Sequence, residues 1–78
     1  MKLKRTDEEN RKLLKIGKSC KYFREAILEM SVEEVASYMN VSIANLYCFE
    51  NGKINNELIL FYYIRLGWSE KYILGGGV

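Results

Sequence analysis

Few side chains in this 78-residue chain could do covalent chemistry, and their types and spacing point to contact rather than catalysis. There is no histidine, so the imidazole behind most general acid–base steps is missing. Cys20 and Cys48 lack the paired spacing of a metal site, which together with the missing histidine argues against zinc chemistry. Cys20 reads as a small core residue. No nucleophile stands near a base, no phosphate-binding loop is present and no two carboxylates form a convincing pair, so neither an enzyme nor a cofactor is expected. What remains is charge and hydrogen bonding. The net charge of +2 conceals an asymmetry. Residues 1–30 carry nine basic groups, Lys2, Lys4, Arg5, Arg11, Lys12, Lys15, Lys18, Lys21 and Arg24, against five acidic ones. Residues 31–78 carry three basic groups against five acidic ones, so the positive field belongs to the beginning of the chain.

The elements that must position any contact residues centre on Ser31 to Lys53. Val32, Val35, Ala36 and Met39 form one apolar helical face. Ser31 with Glu34 makes a capping box, which starts a helix over 31–39. Asn40 follows the last apolar residue, and asparagine tolerates the left-handed backbone that ends a helix and redirects the chain. Ser42 then caps a second helix over 42–51 that buries Leu46 and Phe49, with Val41 plugging the turn. The small side chain of Ala36 lets the two helices approach, and Asn51-Gly52 supplies the exit turn.

The flanking segments are also helical. Residues 1–6 form a basic leader, read either as a mobile tail or as an arm adding phosphate contacts. Thr6 with Glu9 caps a helix over 7–30 whose apolar stripe is Leu13, Ile16, Cys20, Phe23, Ile27 and Met30. Gly17 and Ser19 weaken its middle. Asn56 caps a further helix, 56–66, whose run from Leu58 to Ile64 is apolar around most of its circumference; a strand is conceivable there, but the preceding cap favours helix. Gly67 ends it, Trp68 packs back, residues 69–74 form a short last helix, and residues 75–78 a flexible tail.

Val35, Ala36, Met39, Val41, Leu46, Phe49 and the segment Glu50-Asn51-Gly52-Lys53 resemble the helix-turn-helix of the lambda-repressor-like family. The likeness extends over roughly residues 18 to 74 with the flanking helices. It implies a single all-α domain of five helices that binds DNA, a repressor-type transcriptional regulator of phage, prophage or mobile-element origin. The second helix of such a unit enters the major groove. The base-facing residues implied here are Ser42, Ile43, Ala44, Asn45, Tyr47 and Cys48. Ile43 and Ala44 offer only apolar contact, leaving Asn45 and Tyr47 as polar readers. Asn51, Lys53 and the backbone amides starting at Ser31 are implied as phosphate contacts. Lys18, Lys21 and Arg24 extend that footprint or form a solvated basic face. Two positions depart from the family. Val32 stands where a phosphate-binding glutamine is usual, and Glu25 stands where many members have an arginine facing the acid matched by Glu50, so that two like charges are expected to meet.

Ile59, Tyr62, Tyr63, Trp68 and Tyr72 exceed what one small core absorbs. They suggest a homodimer or partner interface, or else aromatics capping the core with their polar tips in water. The alternative function is a protein-binding module that regulates another repressor, a polymerase or a toxin by contact on the same scaffold. Double-stranded DNA, a second copy and another regulatory protein are thus the expected partners. A membrane is not, since no apolar run is long enough to cross a bilayer, and with no signal-peptide pattern the expected compartment is the cytoplasm.

Overall fold

A computed structural model describes residues 6–75, and the leader up to residue 5 and the tail from 76 lie outside the described residues. Five α-helices and one π-helical stretch are present among the described residues, without strands. No helix there is long and apolar enough to cross a membrane. Helix α1 spans Asp7–Tyr22 and runs directly into the π-helical stretch Phe23–Leu28; α2 is Val32–Met39, α3 is Ile43–Glu50, α4 is Glu57–Leu66 and α5 is Lys71–Gly75.

The helix starts follow their capping residues. Thr6 and Glu9, and again Ser31 and Glu34, form reciprocal capping boxes. The Ser42 hydroxyl accepts from the Asn45 amide, and the Asn56 carboxamide oxygen accepts from Leu58 and Ile59. Each satisfies backbone donors that a helix cannot satisfy internally. The helix ends follow left-handed residues. Asn40 (φ 57°) closes α2, with the Val41 amide donating 3.0 Å to the Ala36 carbonyl. Gly67 (φ 118°) closes α4, with Trp68 donating 2.9 Å to Tyr63.

The expected continuous helix over 7–30 changes pitch at Phe23, and the reason is visible in the packing. In the π-helical stretch the Arg24 carbonyl accepts from both Glu29 and Met30, so one extra residue is accommodated before the chain turns at Glu29 (φ 54°). The apolar stripe slips by one as a result. Ile27, expected to be buried, is 48% exposed, and Leu28 packs against the core instead. At the other end of the chain Ser69 and Glu70 lie before the last helix rather than in it, and Gly75, expected in the tail, closes α5.

The core is built from Cys20, Phe23, Val32, Val35, Ala36, Met39, Leu46, Phe49, Ile59, Tyr63 and Trp68. Three of the five residues expected at an interface, Ile59, Tyr63 and Trp68, are therefore interior. The cause is α4 itself, which turns Ile59 and Tyr63 inward, while the Trp68 indole donates 3.0 Å to the Ser19 hydroxyl. Tyr62 and Tyr72 are half-buried; Tyr72 meets Phe23 edge to face at 5.0 Å, and Tyr62 meets Tyr38 at 5.7 Å. Gly17 lies where α1 crosses the end of α3. A β-carbon there would lie 2.6 Å from the Glu50 carbonyl oxygen and closer still to that of Phe49, so only glycine permits this approach.

Candidate nucleic-acid interface

Helix α3 is held by its inner side and leaves its outer side open. Leu46 and Phe49 are buried in the core, and Glu50 at the last turn is 1% exposed. A carboxylate at a helix C-terminus faces the negative end of the dipole, and burial removes water as well, so Glu50 requires a strong partner. Arg24 provides it. Its Nε donates 2.8 Å to Oε2 and its Nη2 donates 3.0 Å to Oε1, a forked pair, while Nη1 donates 3.1 Å to the Met30 carbonyl. The Tyr63 hydroxyl donates 2.5 Å to the same Oε2. The π-helical stretch, α3, α4 and the turn before α2 therefore converge on one carboxylate.

This geometry corrects two expectations. Arg24 is 5% exposed and committed to Glu50, so it cannot contribute to a phosphate footprint. Two like charges do not meet, since it is Arg24 rather than Glu25 that turns toward Glu50; the Glu25 side chain is 55% exposed and lies 3.7 Å from Arg24 at the edge. The hydrogen bonds from Glu50 make the Arg24 guanidinium hold its proton more firmly than usual. Burial, followed by the bond to Glu50, pushes the Tyr63 phenol well above its ordinary 10.0. Burial, followed by the charge of Glu50, likewise pushes the Cys20 thiol above 9.0, so Cys20 is an inert core residue.

On the outer side, Ser42, Ile43, Ala44, Asn45 and Tyr47 are exposed, and Cys48 is half-buried. Ser42 is committed to capping, and Asn45 contributes only its backbone amide to that cap. Both Ile43 (42%) and Tyr47 (48%) are large side chains presented to solvent without any structural task in the core. The turn after α3 is pressed against α1. Gly52 adopts φ +74°, and a β-carbon on it would lie 2.7 Å from Leu14 Cα.

Beside this junction a shallow groove of about 310 Å³ is lined by Leu14, Lys18, Lys21, Tyr22, Glu25, Glu50 and Asn51. The structure thus brings the exposed Lys18 and Lys21 of α1 to the exit of α3, where Asn51 and Lys53 are also exposed. Ser31 stands apart from this arrangement. It is exposed, but its hydroxyl accepts from the Glu34 amide, and its own amide donates 2.9 Å to the Glu34 carboxylate. An acidic side chain therefore already sits at the start of α2 that was expected to receive a phosphate. The Arg24 clamp was the element hidden from sequence reasoning, because its register depends on the extra residue in the π-helical stretch. Comparisons of the chain with protein-family models, curated proteins and solved structures gave no match.

Proposed function

We propose that this chain is a DNA-binding regulator that lays α3 in the major groove from a helix-turn-helix scaffold of the lambda-repressor-like kind. The observation that carries this reading is the division of α3 into an anchored inner side and an exposed outer one bearing Ser42, Ile43, Ala44, Asn45 and Tyr47. Asn45 can bond an adenine edge bidentately, Ile43 and Ala44 can meet a thymine methyl, and the Tyr47 hydroxyl adds a second polar contact. Lys18, Lys21, Asn51 and Lys53 supply the backbone contacts that set register. Arg24 has no part in it.

Fluorescence anisotropy with duplexes selected from the source genome tests the reading. Affinity should fall linearly in log–log form as salt rises, and Lys53→Ala should lower both the affinity and the slope, by about 0.9 for each phosphate no longer neutralised. A chain that ignores duplex at low salt, or binds with no salt slope, would refute it.

The apolar character of Ile43 and Tyr47, with the acidic start of α2 nearby in sequence, favours one second reading: a protein-binding module contacting another regulator through the same face. Its mark would be a partner retained from lysate by the unaltered chain and released on Ile43→Ser, with duplex ignored. Truncating Trp68 would not serve this purpose, since its ring is part of the core.

A further inference from the structure

Helix α4 has an outward face that the core does not use. Ile59 and Tyr63 point inward with no exposure, which turns Phe61, midway between them, directly away from the interior. At about 100° per residue, Leu58 and Ile64 lie about 60° to either side of Phe61, and Glu57 and Arg65 about 40° to either side. Leu58, Phe61 and Ile64 are 54%, 52% and 49% exposed, an apolar row on the surface of a small domain. The Arg65 guanidinium lies over the Phe61 ring, 5.7 Å from its centroid, and holds it at the centre of the face.

The sequence of this face is symmetric about Phe61. Three residues away on either side stands a branched aliphatic, Leu58 or Ile64; four residues away stands a charge, negative at Glu57 and positive at Arg65. A two-fold axis through Phe61 lays the row Glu57–Phe61–Arg65 antiparallel on the same row of a second molecule. Glu57 then meets the partner's Arg65, and Arg65 meets the partner's Glu57, so the face is complementary to itself in charge as well as in apolar character. Packing of such four-residue rows crosses the helix axes at about 50°, the commonest class of helix contact. An isologous interface needs a surface that is its own complement, and this one is.

We propose that the outward face of α4 is a self-association surface whose occupant is a second copy of this chain. The proposal makes no use of the duplex reading and stands or falls separately from it. Three half-exposed side chains with two flanking charges cover well under the ~800 Å² per partner of a standard interface, so the dimer is reversible rather than permanent.

Sedimentation velocity without DNA, from about 1 µM to about 1 mM protein, is the test. The unaltered chain should pass from monomer to dimer across this range. Phe61→Asp should raise the dissociation constant about a hundredfold while circular dichroism stays unchanged. Glu57→Arg and Arg65→Glu should each weaken association about tenfold through like charges. The doubly exchanged chain should recover the original constant, and so should an equimolar mixture of the two single variants. A monomer at every concentration, association indifferent to Phe61→Asp, or failure of the double exchange to recover association would overturn the proposal.

Discussion

Glu50 illustrates how one side chain can decide a domain's stability without touching anything outside it. It is 1% exposed and receives hydrogen bonds from Arg24 and Tyr63. Removing one member of a buried pair leaves the other charge stranded in low dielectric, whereas replacing all the polar members together leaves nothing to desolvate. Glu50→Ala should therefore cost about 3–5 kcal/mol in urea unfolding, a large share of the ~5–15 kcal/mol available to a small domain. The triple replacement Arg24→Met, Glu50→Leu, Tyr63→Phe should cost less than Glu50→Ala alone. A triple variant less stable than the single one would show that the network contributes net stability rather than geometry. The same cluster makes the fold sensitive to alkali. Tyr63 and Cys20 both have raised values in the folded chain, so it keeps protons there that the unfolded chain releases above the ordinary 9.0 and 10.0. Their contribution is complete below about pH 9 and declines as pH rises beyond it. Unfolding midpoints measured between about pH 8 and pH 11 should fall, and Tyr63→Phe should flatten the fall.

Elements are where the close approach of α1 to α3 is decided. Gly17→Ala would gain about 1 kcal/mol of helix propensity. Its β-carbon, however, would meet the main-chain oxygens of Phe49 and Glu50, which cannot rotate aside. The clash should win, giving a net destabilisation of about 1–3 kcal/mol by thermal unfolding. Capping boxes at Thr6 and Ser31, the corner at Asn40 and the buried faces of α2 and α3 were legible because each is written in residues three or four apart. Gly17 was legible as a weak helix former but not as the place where another helix crosses, a relation set by residues distant in the sequence. Nor could Ile27 be told from Leu28, since one additional residue in a π-helical turn leaves the local pattern intact and rotates everything before it. In α4 the run from Leu58 to Ile64 is apolar on nearly every side. Its inward pair, Ile59 and Tyr63, was separable from its outward row only once the neighbouring helices were in place.

At the scale of the whole molecule, the excess of positive charge in the first thirty residues acquires a position. Lys18 and Lys21 reach the groove at the exit of α3, while Arg24 is withdrawn into the interior. If α3 meets duplex, replacing Lys18 and Lys21 together by alanine should reduce the slope of log affinity against log salt by about 2, without changing the melting temperature measured in the same buffer. An unchanged slope would restrict those lysines to solvation. The clamp on Glu50 has a wider consequence. Because α3 is fastened by Leu46, Phe49 and Glu50, the identities of Ile43, Ala44, Asn45 and Tyr47 bear little on whether the chain folds. Address and scaffold are written in separate letters of the same eight-residue helix. The four outer letters are thus open to revision by selection, natural or designed, while the three inner ones keep the grip unchanged.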